Sequence, residues 1–226
     1  MDETAPVIED LPMFPLGAVL FPGIVLPLHV FEPRYRAMVG HLLGLPAHQR
    51  HFGSVAIREG YEVGEHGKQE LYRVGCRLQL TDITAHSDGT YDLTATCMDR
   101  IRLLDLDARG SFPTGRVTLV ADEPGQTSPE LVESASRDFA TYREALHQVR
   151  GDPLPQRLPQ DPEFLAWVMA AASPVTMPDK QRLLEASHPA ARLELAAALF
   201  REEVRVMTAI PSLPATELAR TRWSPN

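Results

Sequence analysis

Apolar residues recur along this chain with two spacings, roughly every second residue before position 122 and roughly every 3.6 residues after position 128. The short spacing is clearest in Val74, Cys76, Leu78 and Leu80, which alternate with Gly75, Arg77 and Gln79. Beyond the turn HSDG, Tyr91, Leu93, Ala95 and Cys97 alternate with Asp92, Thr94 and Thr96. This is the pattern of two half-buried antiparallel strands joined as a hairpin. The apolar phase slips at Thr81-Asp82 before Ile83, which predicts a bulge. FGSVAIRE, RIRLLDLD and GRVTLVAD supply further strands. One helical interlude, EPRYRAMVGHLLG, places Tyr35, Met38, Val39, Leu42 and Leu43 on one face, with Pro33 in its first turn and Gly44 as its stop.

The long spacing begins after the linker DEPGQTSPE. Ser128 is a cap with Pro129 following, and Leu131, Ala135, Phe139, Tyr142, Leu146 and Val149 line one face up to Gly151. A proline-rich loop, GDPLPQRLPQDP, leads to Asp161 as a second cap before EFLAWVMAAAS. Two more helices read from DKQRLLEAS and PAARLELAAALFREEVRVM, the last with Leu193, Ala196, Phe200, Val204 and Met207 as its buried stripe. Trp167, Phe164 and Met169 read as bundle core. The pattern predicts a β-rich domain over residues 10–122 and a helical bundle over 128–208 packed on it. The tail, 209–226, has little to bury and is expected to be flexible.

The opening stretch fits neither spacing. From Leu11 to Phe31 there is no charged side chain, about the length of a membrane span. A membrane helix is excluded by Pro12, Pro15, Pro22 and Pro27, each costing roughly 3 kcal/mol inside a helix. A signal peptide is excluded by MDETAPVIED, acidic where a basic segment belongs. Short extended pieces between proline turns, buried in a β core, are what remains.

Composition narrows the chemistry. The 226 residues carry a net charge of -8, with 22 Lys plus Arg against 30 Asp plus Glu. That balance argues against DNA and other phosphate backbones as partners, and no polybasic run suggests a membrane surface. Two cysteines, Cys76 and Cys97, form no metal motif and read as reduced, buried thiols. With no targeting signal, the cytoplasm is the default compartment. No catalytic residue, cofactor or metal is expected. The sequence holds no G-x-x-x-x-G-K-[ST], its nearest stretch being GYEVGEHGKQ, and no G-x-S-x-G. Neither lysine, Lys68 or Lys180, sits in a Ser-Lys setting. The clustered histidines His41, His48 and His51 lack nearby acidic or thiol partners and read as solvated loop residues.

The block FPLGAVLFPGIVLPLHVFEPRYRAMV resembles the start of the Lon protease amino-terminal, substrate-binding domain, with F-E-P-R-Y-R entering a helix. The likeness continues through DGTYDLTATCMDRIRLLDL and DKQRLLEASHPAARLELAAALFREE, so it spans about residues 10 to 207. It implies an α+β chain, a PUA-like β-barrel followed by a helical bundle. In full-length Lon such a module engages protein substrates ahead of an ATPase and a peptidase, which are missing here, so the resemblance implies a stand-alone form. The expected function is non-catalytic binding of an unfolded or extended polypeptide or a partner protein. The alternative is a small-ligand or RNA-binding module, a role that PUA-like folds also serve. Candidate binding residues are Phe14, Leu16, Phe21, Phe31, Glu32, Arg34 and Tyr35, because the opening run supplies more apolar surface than one short sheet hides. Some of it is expected under the helix at Tyr35 and Met38, and some at a groove facing the bundle. For Glu32, Arg34 and Arg36 the plainer reading is local: a favourable charge at the helix start and a short-range pair. Nothing in the sequence speaks to oligomeric state.

Overall fold

Alternation in the first half produces strands, and their pairing answers the question of the opening stretch. The computed structural model describes residues 8–59, 70–123, 126–150 and 158–209. It divides into two units, residues 1–121 and 122–226. The loop GYEVGEHGKQ with Lys68, most of GDPLPQRLPQDP, the side chain of Val149 and nearly all of the tail lie outside the described residues.

The first unit contains β1 (Ile8–Pro12), β2 (Val25–Val30), α1 (Pro33–Leu43), β3 (His51–Glu59), β4 (Glu70–Ala85), β5 (Tyr91–Asp107) and β6 (Thr114–Leu119). All strand pairs are antiparallel, in the order β1-β6-β5-β4-β3, with β2 also paired to β5. Leaving β1, the chain crosses from β6 to β3: Met13 N–H donates to Pro113 O (2.8 Å), then Phe14 N–H to Gly53 O (2.8 Å) and Leu16 N–H to Val55 O (3.1 Å). Two parallel bridges, Met13 with Gly53 and Leu16 with Ala56, join the two ends of the strand order. The sheet thereby closes on itself as a barrel, with β2 off the closed path. Leu11, Met13, Val55, Ile101, Leu103 and Val117 fill its core. Among the described residues, no helix is long and apolar enough to cross a membrane.

The bulge expected near Thr81 is present, since Leu80 faces Ala95 while Asp82 faces Thr94. Two more lie on β5. Leu78 faces Cys97 while Arg77 faces Asp99, and Leu103 faces Val117 while Asp105 faces Arg116. The extra residues, Met98 and Leu104, turn outward and are exposed. What reads as two strands, TYDLTATC and RIRLLDLD, is therefore one strand bent at bulges. Its first half pairs with β2 and its second with β6. Helix α1 buries Tyr35, Met38, Val39 and Leu42. Leu43, expected on that face, is exposed because it is the last helical residue.

The second unit contains α2 (Pro129–Arg150), α3 (Pro162–Ala172), α4 (Met177–Glu185) and α5 (Pro189–Ala209). Ser128 accepts from Leu131 N–H (3.2 Å) and Asp161 from Phe164 N–H (3.3 Å), as capping predicts. Thr176 caps α4 through Asp179 N–H (3.3 Å), so this helix begins earlier than DKQRLLEAS suggests. Phe139, Tyr142 and Phe200 form an aromatic cluster, with Phe200 centred 5.0 and 5.1 Å from the other two rings. Trp167 and Met169 are core as expected, whereas Phe164, in the first turn of α3, is exposed. Arg192 is fully buried, lies 3.4 Å over the Trp167 ring and donates to Asp122 (2.7 Å). Such a buried charge is tolerated because its guanidinium is paired and stacked.

Candidate polypeptide-binding surface

Among the described residues β2 is paired with β5 alone. Just before the strand, Cys97 N–H donates to Ile24 O (2.9 Å), which sets the phase of the ladder. Hydrogen-bonding direction alternates along an antiparallel strand, so Leu26, Leu28 and Val30 turn their backbone groups toward β5. Val25, Pro27 and His29 turn theirs to the open edge. Proline has no N–H, so Pro27 interrupts the donors there, which suits an edge strand. Val25 is 57% exposed and Phe31, just past the strand, 52% exposed.

The other residues expected at a binding surface are placed differently. Phe14, Leu16, Phe21 and Tyr35 are buried, with Phe14 stacked on Tyr35 at 4.0 Å. They are apolar and central, and the barrel and α1 enclose them. Glu32 and Arg34 are partly buried; Arg34 donates to Glu32 (2.6 Å) and lies 4.7 Å over the Tyr35 ring. The short-range pair is thus present, and Glu32 is the N-cap residue without a side-chain cap bond. Of the expected set, the structure brings together Phe14 with Tyr35 and Glu32 with Arg34. Of the set, Phe31 alone is exposed.

The strand carries a second feature that periodicity does not announce. His29 Nδ1 lies 2.6 Å from Asp92 Oδ1, and His86 Nε2 lies 2.8 Å from Asp92 Oδ2. These two hydrogen bonds hold the Asp92 carboxyl below the usual carboxylate range. The one signal in the sequence is that His86 opens the HSDG turn and Asp92 follows three residues after it. The group of histidines singled out earlier does not converge: His41 packs on Phe112 (5.3 Å), His48 contacts Gln49 (3.3 Å), and His51 sits on β3. Burial first, and the Arg77 charge second, push the His51 pKa down.

The sequence matches the family described as the ATP-dependent protease La (LON) substrate-binding domain over residues 10–201. It is 27% identical over 204 residues to Lon protease 2 of Herpetosiphon aurantiacus, covering 88% of this chain and 24% of that protein. To Lon protease 2 of Thermus thermophilus it is 26% identical over 206 residues, covering 88% and 25%. The chain thus spans about a quarter of the length of the curated relatives it matches. Among solved structures it is similar to a Lon N-terminal domain protein from Xanthomonas campestris, with TM-score 0.62, 24% identity and coverage of 84% and 98%. It is also similar to the N-terminal domain of the Mycobacterium avium complex Lon protease, with TM-score 0.59, 16% identity and coverage of 86% and 99%. The fold is therefore the α+β, PUA-like fold of Lon amino-terminal domains, and the chain belongs to the Lon substrate-binding domain family.

Proposed function

We propose that this chain is a polypeptide-binding module in which an extended segment docks along the open edge of β2, with Val25 and Phe31 as its apolar contacts. The observation that carries the reading is that a paired, proline-interrupted strand ends in a half-exposed phenylalanine, in a chain of a substrate-binding family. Main-chain groups of Val25 and His29 can pair with a guest strand, while Pro27 keeps that ladder incomplete and the binding weak. Apolar side chains supply the affinity and the guest's sequence matters little. No chemical step is assigned to the module. The net charge of -8 favours polypeptide over RNA, because nucleic-acid binding draws on clustered cations.

Titration of a labelled unfolded protein and a labelled RNA, each at low and high salt, tests this. Polypeptide binding is expected to vary little with salt. Phe31→Ser is expected to weaken it about tenfold, the equivalent of ~1.4 kcal/mol of lost apolar contact. Tight, steeply salt-dependent RNA binding without polypeptide binding would replace this reading with the nucleic-acid one.

A further inference from the structure

We propose that His29, His86 and Asp92 form a surface site for a divalent transition-metal ion of the zinc class. Among the described residues they are the one trio of potential ligands that converges, with a ring nitrogen of each histidine and an Asp92 oxygen all within 4.8 Å of one another. Two imidazoles and one carboxylate are a donor set that suits zinc, nickel or copper rather than magnesium or calcium. Three protein ligands leave the fourth tetrahedral position to water or to a donor from a bound partner.

Three segments bring the donors together, and sheet register holds them. His29 is the partner of Asp92 in the β2–β5 pair, and Thr84 is its partner in the β4–β5 pair. His86 follows the end of β4, and its N–H donates to Thr90 O (2.9 Å) across the hairpin turn. The His29 ring lies beside that of Phe31, 6.2 Å between centroids. Such a scaffold has little ordering left to lose when an ion arrives.

The fit requires only side-chain adjustment. Zinc–nitrogen bonds of about 2.0 Å in a tetrahedron place ligand atoms roughly 3.3 Å apart. The Asp92 oxygens are already 2.6 and 2.8 Å from the two ring nitrogens. All three side chains are exposed, so the imidazoles can turn until the carboxylate bridge is replaced by the ion. A shallow depression of about 290 Å³ adjoins His29 and Asp92, with Pro27, Asp82, Thr84 and Thr94 on its walls. It has room for the ion's remaining water, and Asp82 adds a second carboxylate to attract a cation. Metal binding here is independent of the polypeptide reading, although both use β2.

The test is calorimetric titration of the full chain with zinc alone, without polypeptide, paired with NMR of the imidazole nitrogens. One equivalent is expected to bind, shifting His29 Nδ1 and His86 Nε2. His29→Ala and His86→Ala are each expected to weaken binding at least about tenfold, while His48→Ala leaves it unchanged. Circular dichroism of the variants checks that the barrel persists. Absence of saturable binding where free imidazole itself binds zinc would overturn the site. So would zinc-induced shifts confined to other histidines, or binding unchanged in both alanine variants.

Discussion

In the β unit the ties that matter join distant parts of the chain. His29 meets Asp92 across 63 positions, and Arg77 reaches Glu9 across 68. In the helical unit most side-chain ties span one turn: Asp161 to Phe164, Thr176 to Asp179, Gln181 to Glu185. Arg192 with Asp122, 70 positions apart, and Arg201 with Asp138, 63 apart, are the long-range counterparts there. The contrast shows where each unit is vulnerable. Helices depend on the apolar faces that bring them together, because local bonds alone leave a short helix marginal. Strands depend on register and close backbone approach, so a small added group in the wrong place does more harm than a lost surface contact.

The largest expected effect tests the helical half of that contrast. Phe200→Ala removes the ring at the centre of the α2–α5 aromatic cluster and is expected to cost about 3–5 kcal/mol. Urea titration followed by Trp167 emission, with the other tryptophan, Trp223, replaced by Phe in both proteins, measures it, and a loss below about 1 kcal/mol would mean that the apolar face is not what holds this unit. Next in size is Gly75→Ala in the β unit. An added Cβ would lie 2.0 Å from Ser54 O, a backbone atom of β3, so the ladder must shift, at about 2–3 kcal/mol. Gly40→Ala is its control: nothing lies within 4 Å of a Cβ on that helical residue. That change is expected to stabilise by about 0.5–1 kcal/mol. If both alanine variants behave alike, close strand approach is not the sensitive feature.

The smallest effect is a pH dependence of opposite sign in the two units. His51 has a lowered pKa in the folded barrel, so its contribution to stability is present above pH 6.5 and is lost as pH falls through the folded pKa. Glu203 on α5 has a raised one, from burial first and then the nearby Asp179 and Glu202 charges. Its contribution is full below the ordinary pH 4.5 and is lost as pH rises through the folded pKa. Amide exchange corrected for intrinsic rates, compared for β3 and α5 with His51→Gln and Glu203→Gln as controls, is expected to separate the two slopes. Slopes of the same sign, each removed by its own variant, would contradict this account.

Local signals were legible in the chain wherever a few adjacent residues decide the structure. Ser128 and Asp161 stand before prolines at helix starts, HSDG closes a hairpin, and the phase slip at Thr81 marks a real bulge. A barrel was implied by the resemblance, but the links that close it were not legible, because Met13 and Leu16 form isolated bridges that leave no period in the sequence. The unity of β5 was hidden for a related reason: its bulged residues, Met98 and Leu104, break the alternation that defines a strand. For the candidate surface, apolar character near F-E-P-R-Y-R identified the right neighbourhood but not which side chains face out. Phe14 and Phe31 are the same residue type in the same apolar run, yet one stacks in the interior and the other meets solvent. The His29–Asp92–His86 cluster exists only once β2 is set in register against β5, which no single-strand pattern encodes.

Both cysteines lie within the barrel, at Cys76 on β4 and Cys97 on β5, and both are buried. The hydrogen bond with Cys97, followed by burial, pushes the Cys76 thiol well above its usual range, and Cys76 Sγ–H also donates to Leu20 O (3.3 Å). Alkylating reagents attack the thiolate and need access to it, so a native barrel resists them until it opens. The helical unit has no cysteine at all. The rate at which the unlabelled, wild-type chain takes up a thiol reagent is therefore a clock for the breathing of one unit alone.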